Sequence, residues 1–460
     1  MRKPGVFLFV VVALVILGLS FAGCGRGGGG KTATPSAGGS ATPSGGTGTF
    51  PTPIPGPGVG ETIGVTDTSI KIGTLLPLSN TPATAWGIPL SQGYQAWFDY
   101  INDNGGSYGR KLELDLGDSQ YVGPVASETV RTLVEQDGVF AMMGSLGIDV
   151  ELAVMTYLQQ KGVPDMLLQA AEQVLVNPIS YQRYRWLPDY TQEGKVIGTY
   201  VGQNNAGKKV GILAQNDDFG KAGEAGVKQG LQAAKDNVQT TTQYYDPSET
   251  DMTSQVQRLK SDGAEVVVLY AQPAQAASAI KVGRDTLGWD VPFFLSGVDA
   301  AEIMGALAGY TEIEGTITVS FGPQDYQTEF PPVALFQENM KKYISSPQIN
   351  SVSWSGYHDA ALMTAILIQT GPDLTRTNFL KAAESICKWD DGALWMPVTF
   401  TPTDHDANTS EKFAKATGTG SDFKFEVFGN VVSFGTAPSC TPPTPPANAT
   451  AQPGFSPQGQ

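Results

Sequence analysis

Between Thr66 and about Gly435, short apolar runs rich in β-branched residues alternate with stretches whose apolar residues recur every three or four positions. That alternation predicts a parallel sheet covered by helices. "IKIGTLLPL" (Ile70–Leu78) reads as a strand. The following segment places Leu90, Tyr94, Trp97, Phe98 and Ile101 at helical spacing and stops at Gly105. "KLELDLGD", with Leu112, Leu114 and Leu116 on one face, "VFAMMGS" and "VPDMLLQA" supply further strands. Helical patterns lie between them through Val125–Val134 and Leu152–Leu158.

The same rhythm restarts at Lys208. Strand-like "KKVGILAQ", "TTTQYYD", "AEVVVLYA", "VPFFLSG" and "GTITVSF" are separated by helical patterns at about Lys221–Asp236, Met252–Ser261 and Ala274–Thr286. Two successive sets of similar size predict an α/β protein of two Rossmann-like lobes.

The ends of the chain break the pattern. Arg2 and Lys3 precede the apolar run Val6–Leu17 and a small-residue site at Ala22-Gly23-Cys24, which reads as an export signal over 1–23. The apolar run is short for a membrane span, and we read it as cleaved, an uncleaved anchor being the alternative. Residues 24–65 are nearly all Gly, Pro, Ser, Thr and Ala, the composition of a disordered linker. Residues 436–460 read as a Pro-rich flexible tail.

The 460 residues carry 29 Lys+Arg against 44 Asp+Glu, for a net charge of -15, with no basic stripe to meet phosphates, so no nucleic-acid partner is expected. The 3 cysteines form an odd set. Cys24, beside the signal, is the odd one out, leaving Cys387 and Cys440 as an expected disulfide in an exported chain, with two free thiols as the alternative.

Catalytic chemistry has little support. The sequence has two histidines, His358 and His405, for which solvated or capping roles are expected. It has no nucleophile elbow, HExxH, CxxC or P-loop. No enzyme activity, metal or cofactor is expected.

What remains is a set of loops at the carboxyl ends of predicted strands, where open α/β sheets bind ligands. They read "LSNTPATAWG", "GSLGID", "LQAAEQ", "QNDDFGKAG", "YAQPAQ" and "SGVDAA". Their small residues open helix N-termini to an anionic group such as a carboxylate. Trp86, Phe219 and Tyr270 offer apolar walls, while Asp217-Asp218 also suits a helix cap.

The start of the chain resembles a bacterial lipoprotein signal, with Phe21 departing from the usual Leu, which implies a lipid on Cys24. Over most of Ser69–Phe434 the chain resembles the leucine/isoleucine/valine-binding, or branched-chain amino acid, family of type I solute-binding proteins of ABC importers. "INDNGGSYGRKLEL", "KKVGILAQNDDFGK" and "LKSDGAEVVVLYAQPAQAASAIKVGRDTLGWDVPFFL" carry the likeness. The resemblance implies a clamshell with three hinge crossings, placed near Leu187, Thr316 and Asp390. Lobe 1 then comprises 66–187 and 317–389, and lobe 2 comprises 188–316 and 390–435.

It also implies a monomer, anchored by lipid to the outer face of the cell membrane, that captures a small solute and delivers it to an ABC permease. A sensor signalling to a separate membrane partner is the alternative. Carried over loop by loop, Trp86, Ser145, Gly147, Gln169, Ala170 and Ala171 would line the first lobe. Phe219, Tyr270, and Val298 or Asp299 would line the second. The sequence departs from the family where "GSLGID" lacks a serine cluster, "QAAEQ" lacks a threonine and Phe219 replaces a tyrosine. An amide or small organic acid is therefore as admissible as a branched-chain or other amino acid.

Overall fold

The computed structural model describes residues 62–81, 83–234, 238–433 and 438–454. The signal segment, Cys24 and nearly all of the linker lie outside the described residues, as does the end of the tail.

Two sheets organise the chain. The first contains β1 (Ser69–Leu76), β2 (Lys111–Asp118), β3 (Ala141–Met143), β4 (Asp165–Leu168) and β5 (Arg183–Arg185). Its order is β2-β1-β3-β4-β5, with every pairing parallel. β1 runs in register with β2 from Ser69 opposite Lys111 to Leu76 opposite Asp118. Leu112 is buried and Leu114 partly so, but Leu116 is 47% exposed rather than part of one buried face. β2 is the sheet edge, with a neighbour on one side only.

The second sheet contains β6 (Val210–Gln215), β7 (Thr240–Tyr245), β8 (Val266–Tyr270), β9 (Phe293–Leu295), β10 (Ile317–Ser320), β11 (Ser410–Thr417) and β12 (Lys424–Ser433). Its order is β12-β11-β10-β9-β8-β6-β7, parallel from β7 to β10 and antiparallel through β11 and β12. β6 and β8 are buried along their whole length, which is why they read as continuous apolar runs.

Three segments join the lobes. The first, 186–189, contains Leu187 and leads into the helix Tyr190–Asn204. The second follows Ser320 rather than Thr316, because β10 pairs with β9 and β11 and so belongs to the second sheet. The third lies just before Ser410 rather than at Asp390. Trp389 and Val398 form a bridge, and Val398, Phe400 and Ala407 bury in the first-lobe core. Apolar burial thus keeps "MPVTFTPTD" in the first lobe, leaving the β11–β12 hairpin as the second lobe's last contribution.

Both presumed loose ends are shorter than composition indicated. Val65 bridges Ile70 and packs on the first-lobe core, so the linker ends before residue 65. The tail is held against the body: Cys440 is bonded to Cys387, Ala449 is buried, and Gln452 accepts a hydrogen bond from the Tyr108 N–H at 2.7 Å.

Candidate functional site

The carboxyl ends of the two sheets face each other. Ile148, opening the first-lobe helix Ile148–Lys161, packs beside Leu168 and Ala170 of its own lobe and against the second-lobe core containing Phe219 and Tyr270. Across another part of the seam, the Glu302 carboxylate of the second lobe accepts from the N–H and hydroxyl of Ser351, at the start of the first-lobe helix Ser351–Thr370.

On the first lobe, Ser145 is buried and its hydroxyl accepts the Leu75 N–H at 3.1 Å. Gly147 adopts φ 112°, and a Cβ there would meet the Tyr121 ring at 2.7 Å. Only glycine suits both the dihedral and the contact. Gln169 donates to Asp359 at 2.7 Å and to Ser355 at 3.2 Å. Burial lifts Asp359 to about 7 against the stabilising hydrogen bonds from Gln169 and Tyr94. Ala170 and Ala171 are buried behind the same loop.

On the second lobe, Phe219 packs edge-on against Tyr190, with ring centroids 4.7 Å apart, and lies 5.6 Å from Tyr270. Tyr270 is fully buried against Gly223, and its hydroxyl donates to the Tyr190 carbonyl at 3.4 Å. Both aromatics are buried, Phe219 2% and Tyr270 0% exposed. Val298 is partly buried, and Asp299 is buried with neither carboxylate oxygen in a well-formed hydrogen bond. Burial, reinforced by Glu193, pushes Asp299 well above the usual carboxylate range. Glu193 itself is lifted to about 7 by burial, held back by the Gly297 N–H and Tyr270.

Trp86 lines a cleft that none of the other nine lines. This cleft of about 100 Å³, also lined by Glu302, Ile303, Gln348 and Asn350, lies at the seam closed by the Glu302–Ser351 contact. A larger groove of about 470 Å³, lined by Ala274, Ser278, Lys281 and Asp285 among others, belongs to the second lobe alone and contains none of the expected residues.

The structure changes the electrostatic expectation. Asp189 caps the helix Tyr190–Asn204, accepting from the N–H groups of Thr191 and Gln192. Asp217 caps the helix Asp218–Ala233, accepting from Gly220 at 3.2 Å. Of the N-termini expected to receive an anion, that of Asp218–Ala233 is thus already met by a carboxylate, whereas those of Ile148–Lys161 and Pro273–Lys281 have no side-chain cap. Glu172, next to the buried alanines, is lifted to about 7 by burial and by Asp189, Asp218 and Asp217, while Arg185 pulls the other way. Arg185 is itself engaged by Asp406.

Sequence reasoning passed over Tyr121 and Glu172. Gln120 and Tyr121 are consecutive non-glycine residues at φ 50° and 61°, a sparsely populated conformation that no composition signal marks. Tyr121 remains 39% exposed. Burial of its hydroxyl and the charges of Asp217 and Asp149, one on each lobe, push its phenol to about 12.

The histidines are not solvated. His358 packs on Trp186 and Trp389 with Nδ1 3.2 Å from Asp391. His405 stacks on Tyr184 at 4.0 Å, and burial lowers its pKa to about 4. Among the described residues no group of three or more His, Cys, Asp or Glu side chains is arranged to hold a metal ion, and no helix is long and apolar enough to cross a membrane.

Comparison with known proteins places this geometry. A Leu/Ile/Val-binding protein homolog 3 of Brucella melitensis is 28% identical over 221 residues, 45% of this chain and 56% of its own length. Homolog 7 of Brucella abortus is 25% identical over 310 residues, 65% of this chain and 76% of its own. The chain spans less than two thirds of two such relatives, 56% of the Brucella homolog 3 and 65% of the Leu/Ile/Val-binding protein BraC3 of Rhizobium johnstonii. A branched-chain amino acid ABC transporter structure from Thermus thermophilus with bound valine superimposes with TM-score 0.72 at 17% identity, covering 80% of this chain and 97% of that one. A fatty acid ABC transporter substrate-binding protein from Thermomonospora curvata gives 0.71 at 23%, covering 82% and 94%. These structural likenesses carry the two-lobed fold. Residues 69–421 match the family described as periplasmic binding protein, and the chain belongs to that family.

Proposed function

We propose that the protein is an extracytoplasmic solute-binding lipoprotein that captures a small solute between its lobes and delivers it to an ABC permease. The observation that carries this reading is the meeting of loops from both sheets' carboxyl ends, with Ile148 of the first lobe packed on the Phe219 and Tyr270 core of the second. The Leu/Ile/Val-binding relatives and the valine-bound neighbour support a solute of amino-acid size.

Ser145, Gly147, Gln169, Ala170 and Ala171 form the first-lobe wall in this reading. Val298 and Asp299 form the second, over the Phe219 and Tyr270 floor, with Trp86 at the outer seam. A solute touching both walls only in the closed state favours closure by its differential affinity, and the three crossings are the hinge. Lipid on Cys24 and the Gly/Pro/Ser/Thr linker hold the monomeric body near the permease, raising its local concentration there.

A thermal-shift panel of amino acids, amides and small organic acids against the full chain in mild detergent tests the binding reading. A true ligand at 100 times its dissociation constant adds about 2.7 kcal/mol of stability. A panel without any shift would oppose it. Metabolic labelling with radioactive palmitate, lost in Cys24→Ala, tests the anchor.

A further inference from the structure

Resting on the solute-binding reading, we propose that the cleft selects a cationic, amine-bearing solute, held by Glu172 of the first lobe together with Asp217 and Asp218 of the second and the exposed ring of Tyr121.

Four observations meet here. The first is charge. The charged neighbours of Glu172 are Asp189, Asp218, Asp217 and Arg185. The one cation among them is engaged by Asp406, so the set keeps its negative excess. The second is an unmet acceptor. Glu172 is 9% exposed, and its Oε1 is buried without a hydrogen-bond partner. Ile148 packs both on Ala170 and Leu175, which flank Glu172 in its loop, and on the core of Phe219, which follows Asp217 and Asp218, so this loop lies against the opposite lobe. A buried carboxylate oxygen left unmet is costly, and an ammonium N–H satisfies it.

The third is two occupied helix ends, those of Tyr190–Asn204 and Asp218–Ala233. An incoming carboxylate would compete with Asp189 and Asp217 for N–H groups that those side chains already cap. It would also add an anion to the carboxylates around Glu172. The fourth is Tyr121, whose ring is 39% exposed and shares the field of Asp217 and Asp149. An aromatic face beside carboxylates attracts a cation by its quadrupole as well as by charge.

Calorimetric titration of the full chain in mild detergent at about pH 8 tests the proposal with matched pairs that keep the carbon skeleton and change the end group. The pairs are butylamine and butyrate, 4-methylpentylamine and 4-methylpentanoate, and phenethylamine and phenylacetate. At least one amine should bind at least about tenfold tighter than its matched acid. Glu172→Gln should weaken that amine by at least about tenfold, while the surface control Glu135→Gln leaves it unchanged. A melting transition retained by Glu172→Gln separates lost recognition from lost folding, and Tyr121→Leu supplies a second variant that should also weaken the amine. An acid binding as tightly as its amine would overturn the cationic class while leaving solute capture standing. Unchanged amine affinity in both Glu172→Gln and Tyr121→Leu would overturn the assignment of the site. A panel in which neither amines nor acids bind would overturn both readings.

Discussion

The Glu302 carboxylate lies 3.3 Å from the Ser351 backbone N–H and 3.2 Å from the Ser351 hydroxyl, accepting both across the seam between the lobes. Ser351 follows Asn350, whose side chain caps the same helix through the N–H groups of Val352 and Ser353. A second-lobe carboxylate therefore joins the N-terminal cap of a first-lobe helix, where negative charge is favoured.

Glu302→Ala should release this contact and shift the lobes toward opening. Hydrogen bonds to a charged group contribute about 1.5–3 kcal/mol, so the closed fraction relative to open should fall by roughly 10- to 100-fold. Small-angle scattering checks this directly, the variant showing a larger radius of gyration than wild type. An unchanged radius would remove Glu302 from the closure.

Asp325, on the second crossing, is lifted to about 8 by burial and by Glu302 beside it. An unfolded aspartic acid ionises near pH 3.9, so between about pH 4 and pH 8 the folded state holds a proton that the unfolded state has lost. Stability should therefore fall as pH rises through that window. The groups around this carboxyl are Glu302, the backbone N–H of Asp325 itself, and Tyr326, whose ring lies under Lys424 and whose hydroxyl donates to Phe425 O. Asp325→Asn should melt higher than wild type at pH 8 and close to it at pH 4. Thermal melts at the two values decide, and an equal effect at both would oppose the account.

Most of the fold was legible because buried parallel strands such as β6 and β8 are unbroken apolar runs between helical repeats. The crossings were less legible. Whether "GTITVSF" pairs with β9 and β11, or Phe400 buries in the first lobe, depends on partners far along the chain. The site was legible as loops but not as chemistry. "QAAEQ" shows small residues, whereas the role of Glu172 depends on Asp217 and Asp218 from the other lobe. Likewise, the N-terminus of Asp218–Ala233 looks open in sequence until Asp217 is seen capping it.

Arg183 is buried with Glu151 at 3.1 Å and Asp165 at 3.2 Å. Removing one partner of a buried ion pair leaves an uncompensated charge, at a cost of about 3–5 kcal/mol. Arg183→Met should show that loss in urea unfolding. It frees both Glu151 and Asp165, so much of the lost stability should return at low pH, where they are protonated.

The Cys387–Cys440 bond closes a loop with a sequence separation of 53. In the chain-entropy model such a loop is worth about 4 kcal/mol. Cys440→Ser should lower stability by up to that amount and raise hydrogen exchange at Tyr108, whose N–H is held by Gln452 of the same terminal segment. Intact mass should rise by two hydrogens on reduction. No rise would mean that the thiols are free.

Hydrogen exchange with and without a solute that shifts the melting transition tests capture between the lobes most directly. The account predicts simultaneous protection of the loop Leu168–Gln173 on the first lobe and of Gln215–Gly220 on the second. Protection confined to one lobe would contradict it.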